Sequence, residues 1–472
     1  MRVEIFITYF CCLGAACLAS RVWKLFWSYK RPKVLDEKPV SEETDEELRD
    51  RNIENIKRLV CRHEIAAVLS DLVKNDGAGS WPPRANHALG AWPEALRPYR
   101  KIYMELAPQI PQANPSLDDN VNLARIADFR SRFRTLLREE VDLSQVEGLL
   151  SSTEAGQWNA MPQDVYNAFY CCIASCRHAY RWATIPVVKV AQMETQVDLP
   201  EELVLPWKYM QRRFDCASDA GNNTSNLILN FDDDGEYMFR ANTGMTPPIV
   251  AAEEAFARIF HETEVRAVSV YYEMLQATIT WTRGDMAECA RHVAAVGTQL
   301  RTVLKSYYDR MHETRIPRSV WLSRVQSFFA WSAGNKEQPD VRFNGLSGNQ
   351  VLLFQALDAF LGLEPYLSEE DLERSVPVRQ RALGKAFRKH SFRDQLSPEN
   401  KLHVRIAEEM EDVVKRLRVF RAAHRTRSLP YLAYPAPERL PMTAAKSLLK
   451  SDLKSSLEYL DAFMLGRLKQ TV

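Results

Sequence analysis

Residues able to do chemistry are scattered along this chain rather than gathered into one signature. His261, Glu262 and Glu264 set an imidazole and two carboxylates close together, the raw material of general acid and base catalysis. Inside a helical pattern the plainer reading is a solvated face with one core contact. Asn230–Gly235, NFDDDG, could offer carboxylates to a hard cation, but its composition is that of a turn with solvated acids. Cys171, Cys172 and Cys176 lack zinc-site spacing and read as thiols packed on a helix. Ser347, Gln350 and Gln355 are either hydrogen-bonding groups of a site or packing residues of a loop and the helix after it. GxSxG, Walker A and HExxH are all absent, so hydrolase, P-loop and zincin chemistry have no support.

The elements that must position such groups are helices. With 472 residues, 46% of them hydrophobic and 10% aromatic, the chain can fill a sizeable core. Its 62 basic and 61 acidic residues nearly cancel, so charge points to no nucleic acid and no acidic surface as partner. The nine cysteines are an odd number without CxxC pairs, which predicts reduced, buried thiols.

Ile5–Ala19 is almost wholly apolar and is followed by Arg21, Lys24, Lys30, Arg31 and Lys33 with aromatic residues between them. That run falls short of the ~20 residues of a full span, but aromatic and basic flanks suit a membrane interface. Residues 1–33 read as a signal anchor whose trailing positive charge sets the rest of the chain in the cytosol, at the endoplasmic reticulum. The sequons at Asn222 and Asn223 would then stay unmodified. A charged linker is expected over 34–50, a small helical domain over 51–195 and a large helical domain with a pocket over 196–472. Ile53, Ile56, Leu59, Val60 and Leu69 fall at helical spacing, as do Tyr166, Phe169, Tyr170, Ile173 and Tyr180. Between them lies a Pro-rich break, Trp81–Pro98. Ala252–His312 predicts two long helices with a break at Thr282–Asp285.

The stretch Arg342–Gly362, RFNGLSGNQVLLFQALDAFLG, leads from a small-residue loop straight into an apolar helical run. It resembles the indoleamine 2,3-dioxygenase family, matching that family's Phe-x-Gly-Gly-Ser-Ala-Gly-Gln and Phe-Gln-x-x-Asp-x-x-x-Gly at Phe343, Gly345, Ser347, Gln350, Phe354, Gln355, Asp358 and Gly362. The resemblance extends over roughly 185–465. It implies an all-α, indoleamine 2,3-dioxygenase-like two-domain helical fold with a buried pocket, behind an N-terminal membrane anchor. The same resemblance implies pocket positions for Leu205, Lys208 and Tyr209 in the segment LPEELVLPWKYMQRRF, and for Phe256 and Phe260 on the helix of Glu264. Phe260 stands where the family carries a small polar residue.

Two departures decide what the resemblance implies for chemistry. In PRSVWLSRVQSFFAW, Pro317–Trp331, an ungapped match puts Val325 at the family's carboxylate-binding arginine and Val320 at an aromatic, with Arg324 one residue away and Trp321 between. One residue is about 100° around a helix, so Arg324 could serve only if the helix is locally shifted. In SVPVRQRAL, Ser375–Leu383, the family's haem-ligating histidine is Gln380, and an amide is a poor ligand for haem iron. The frame is held downstream by Arg421 and His424; His390, the nearest histidine, reads as a surface or helix-terminal residue.

The expectation is a haem-independent enzyme, without cofactor, that cyclises or isomerises a hydrophobic polycyclic or terpenoid intermediate of secondary metabolism, a Diels–Alder-type cyclisation included. Such catalysis rests on confinement and on donors to an activating carbonyl. Arg324, Ser347, Gln350, Tyr209 and Lys208 are the candidate donors, and Phe256, Phe260, Trp321 and Phe343 the walls. The alternatives are a haem-dependent dioxygenase with a non-standard iron ligand such as His390, and a non-catalytic ligand-binding protein. The chain is expected to be a monomer, with a hydrophobic small molecule and the membrane as its partners.

Overall fold

Most helix starts here are marked by a side chain that accepts a backbone N–H, or by a proline that pre-sets the turn. A computed structural model describes residues 44–76, 81, 84–112, 114–194, 196–329, 331, 348–433 and 453–472. The apolar N-terminal run with its basic flank, and Phe343, Gly345 and Ser347, lie outside the described residues. The main helices are α1 (Asp45–Arg58), α2 (Glu64–Asn75), α3 (Arg97–Leu106), α4 (Asp119–Glu140), α5 (Leu143–Glu154), α6 (Gln163–Trp182) and α7 (Glu201–Phe214). They continue as α8 (Pro247–Thr282), α9 (Met286–Arg310), α10 (Leu352–Phe360), α11 (Glu369–Ser375), α12 (Val378–Lys389), α13 (Lys401–Leu432) and α14 (Leu453–Gln470). Asp118, Asp142, Asp285, Ser368 and Asn400 cap α4, α5, α9, α11 and α13 with their side chains. Among the described residues there is no strand, only an isolated bridge between Phe231 and Tyr237. The architecture is all-α.

Helix α6 is buried on every side from Val165 to Trp182, as an all-round apolar helix must be. Its two buried arginines survive there because carbonyls and rings surround them. Arg181 donates to the carbonyls of Ala191 and Glu194 at 3.1 and 2.8 Å, and Arg177 reaches Leu203 O at 3.2 Å while lying 4.7 Å from the Trp207 ring. The aromatic positions spaced along this helix are core, as their periodicity predicts. Cys171, Cys172 and Cys176 are buried thiols on α6, with burial raising the pKa of Cys171 and Cys172.

The large helices form a hairpin. Helices α8 and α9 pack along each other and α13 packs on α9, with the reversal made by Arg283, Gly284 at φ +79° and the α9 cap Asp285. The break falls where the sequence places it. Asp45–Val472 forms one packed unit, in which α1 docks on α8 and α2 on α12.

Two expectations fail here. Helix α1 begins inside the stretch read as a linker, because one of its faces is buried: Arg49, Asn52, Ile53 and Ile56 lie inside, and Asn52 bonds Ser269 of α8 at 3.1 Å. Cys61 is exposed rather than buried, since it sits in the turn between α1 and α2. The NFDDDG stretch is a turn: Gly235 N–H donates to Asp232 O at 3.0 Å and Asp233 and Asp234 are exposed. Asn222 and Asn223 are 1% and 2% exposed, a reason for staying unglycosylated that does not depend on compartment. Among the described residues no helix is long and apolar enough to cross a membrane.

Candidate functional site

Helices α8, α9 and α13 leave a cavity of about 150 Å³ between them, closed by a π-turn at Trp321–Val325 and by the start of α10. Its walls are apolar: Phe256, Ile259 and Phe260 from α8, Leu304 from α9, Phe354 from α10 and Phe420 from α13. Phe256 and Phe260, one helical turn apart, meet edge to face at 5.3 Å. Phe354 stacks on Phe420 at 5.0 Å and 17°.

Few polar atoms face this space. Trp321, 7% exposed, has a buried Nε1–H with no hydrogen-bond acceptor, which costs about 1–3 kcal/mol if nothing ever fills it. The Tyr307 hydroxyl is also buried without a well-formed hydrogen bond, its polar neighbour being Ser428. Burial holds the His424 imidazole down at about 4, so near neutral pH the ring is uncharged and can accept or donate one hydrogen bond. Ser428 Oγ and His424 Nε2 form a long hydrogen bond of 3.4 Å. The arrangement can bind an apolar molecule, with the Trp321 indole and the Tyr307 phenol in its walls.

One acid holds the roof in place. Glu264, fully buried on α8 beside the cavity-lining Thr263, accepts Leu353 N–H at 3.2 Å and the Tyr271 hydroxyl at 3.1 Å. Helix α10 has no side-chain cap of its own, so Glu264 supplies from another helix what an N-cap residue would. Burial nevertheless dominates and raises this carboxyl to about 7. The solvated face expected of its neighbours is not found: Glu262 pairs with Arg310 and bonds Ser306 at 2.9 Å, and the His261 ring packs on Phe231 at 4.3 Å.

The structure brings together only part of the expected site. Phe256, Phe260 and Trp321 line the cavity; Gln350 is buried in a short turn just before α10 without lining it. Arg324 lies within the π-turn, so the local shift it required is present. Its guanidinium points elsewhere, donating to Pro111 O at 3.0 Å. Val325 is buried behind the turn and Val320 is half-buried ahead of it; neither lines the cavity. Leu205, Lys208 and Tyr209 are on α7, which packs on α5 and α6 instead. There Lys208 is exposed and paired with Glu201 at 3.8 Å, and the Tyr209 and Ser151 hydroxyls bond at 2.7 Å. Tyr307, Phe420 and Ser428 were missed. Phe420, His424 and Ser428 recur every four residues, a spacing that places them on one face of α13, and that was the available signal.

Gln380 is buried on α12 and donates to Thr224 Oγ1 at 3.0 Å. Thr224 opens a second π-turn, Thr224–Ile228, all buried. The chain enters that turn through Gly221 at φ +76°, where a Cβ would come within 2.5 Å of Ser225 Oγ. Gln380 is thus held within the core by its hydrogen bond to Thr224.

No protein-family model matches this chain, and no curated protein matches it. The cavity, at about 150 Å³, is below the ~300–1,000 Å³ of sites for drug-sized ligands, and Gln380 lies outside it, bonded to Thr224. His390 ends α12 at the surface, bonded to Glu64 at 2.8 Å. Among the described residues no three His, Cys, Asp or Glu side chains form a metal-holding group.

Proposed function

We propose that this chain is a divergent member of the indoleamine 2,3-dioxygenase-like helical scaffold in which a haem-free cavity binds an apolar, carbonyl-bearing small molecule and promotes its cofactor-free cyclisation or isomerisation. The observation that carries the reading is an apolar cavity walled by Trp321, whose buried Nε1–H has no acceptor in the protein. A donor fixed in low dielectric strengthens as charge develops on a carbonyl oxygen, and it needs no reorganisation to do so. The Tyr307 hydroxyl is the second donor, and the aromatic walls hold the reacting carbons within near-attack distance. Because the cavity is about 150 Å³, it seats a single ring and its carbonyl. The rest of a polycyclic or terpenoid substrate extends past Gly348, which is exposed and lines the cavity. The apolar run Ile5–Ala19 and its basic flank tether the protein where lipophilic intermediates partition, with the body on the cytosolic side of the endoplasmic reticulum.

The test is to incubate the full-length chain with a panel of lipophilic polyenes bearing α,β-unsaturated carbonyls and to follow isomeric products by chromatography and mass spectrometry. The expected result is a product of unchanged mass whose kcat falls about tenfold in Trp321→Phe, the loss of one hydrogen bond of ~1.4 kcal/mol in the transition state. Ligands that bind in the cavity but are recovered unchanged would make the protein a carrier and end the catalytic reading.

A further inference from the structure

A second cavity, of about 140 Å³, lies between α10, α12, the Pro365–Leu367 segment and α14. Phe354, Tyr366 and Leu372 give it apolar walls, and Arg381, Lys385 and Arg467 give it a cationic side. The buried Asp358, itself part of the lining, receives two guanidiniums: Arg421 at 2.8 and 3.1 Å, and Arg467. One carboxylate balances one of them, so the cluster keeps a net positive charge in the interior, and burial lowers both arginines to about 10. Arg467, 5% exposed, spends one nitrogen on Glu364 O at 3.2 Å, but its Nε–H has no acceptor. Arg381 pairs with Asp215 through one end, and its buried Nε–H is likewise without an acceptor. Arg381 and Arg467 thus border one small, largely apolar space, each with an Nε–H that no protein group accepts. The acid Glu369 is exposed at the rim.

We propose that this cavity binds a small organic carboxylate with an apolar body. The planar guanidinium fork matches a carboxylate, and an anion there supplies the countercharge that Asp358 alone does not. A space of this size holds about one six-membered ring, so the carboxylate meets Arg381 and Arg467 while its body lies on Phe354 and Tyr366. This site shares the Phe354 ring as a wall with the cavity of Trp321 but has its own cationic side, and the proposal does not depend on what that cavity does.

The test is calorimetric titration of the full-length chain with sodium benzoate, with benzyl alcohol as its neutral counterpart. A Lys385→Glu variant alters a residue that is exposed at the rim, so folding is spared where an Arg467 variant would risk it. Benzoate is expected to bind saturably, benzyl alcohol at least about tenfold more weakly, and Lys385→Glu to weaken benzoate about tenfold. Benzoate and benzyl alcohol binding alike, an unchanged benzoate affinity in Lys385→Glu, or no saturable benzoate binding at millimolar concentration would each overturn the proposal.

Discussion

Replacing Glu264 by Gln should make this protein more stable at alkaline pH and nearly unchanged at acid pH. Two effects oppose each other at this carboxyl. The N–H groups at the start of α10 and the Tyr271 hydroxyl favour its charged form, as a helix N-terminus does, while complete burial favours the neutral one. Burial wins, and the carboxyl rises from 4.5 to about 7. A group raised in this way contributes stability that is fully present below pH 4.5 and is lost as pH rises through 7. Over that window the shift corresponds to about 3 kcal/mol. The amide of Gln keeps the acceptor for Leu353 N–H and can donate to the Tyr271 oxygen, so near pH 5 the variant should lie within ~1 kcal/mol of the parent. At pH 8 it should exceed the parent by about 2–3 kcal/mol. Urea unfolding of both full-length chains at pH 5, 6.5 and 8 measures this difference directly. Stabilities that run parallel across the three pH values would refute the reasoning. Parallel curves would mean that the helix terminus outweighs burial and that Glu264 is already anionic in the fold throughout this range.

Trp321→Phe removes a buried donor that lacks an acceptor and should leave the unliganded protein as stable as the parent or up to ~1 kcal/mol more stable. Thermal unfolding checks this, and a loss above ~2 kcal/mol would mean that the indole packs rather than presents its N–H. Asp358→Asn strands the Arg421 and Arg467 guanidiniums, which are 9% and 6% exposed, and should cost about 3–5 kcal/mol. In that variant trypsin should cut α14 before any other helix, and protease mapping reads the order of cutting. Gln380→His restores a ligating side chain type but faces Thr224 and its buried polar neighbours, so haem titration should give no stoichiometric Soret band. A full band would show that the interior opens to admit the cofactor.

The helical architecture was legible wherever local chemistry and long-range packing agree. The α8–α9 reversal is written in Gly284 and Asp285, and the periodicity of Tyr166, Phe169 and Tyr170 is that of a buried helix. The charged residues ahead of Asp50 misled because composition alone does not reveal that Arg49 and Asn52 share a face docked on α8. The site was only half legible. Phe256 and Phe260 belong to one helix and Trp321 to a turn packed against it, but Tyr307, His424 and Ser428 come from two other helices whose approach no local pattern announces. Arg324 and Lys208 were plausible by type and position, and their actual partners, Pro111 and Glu201, depend on packing that sequence spacing does not encode.

The group that completes the first turn of α10 lies 89 residues earlier in the chain, and that separation orders assembly in time. A nine-residue helix is shorter than the ~12–15 residues at which isolated helices become even marginal in water. Helix α10 therefore cannot persist until α8 has docked beside it and offered its acid. Closing so long a loop comes at an entropic cost before any contact rewards it. The roof of the cavity therefore rests on its floor: α10 holds only while α8 stands beside it.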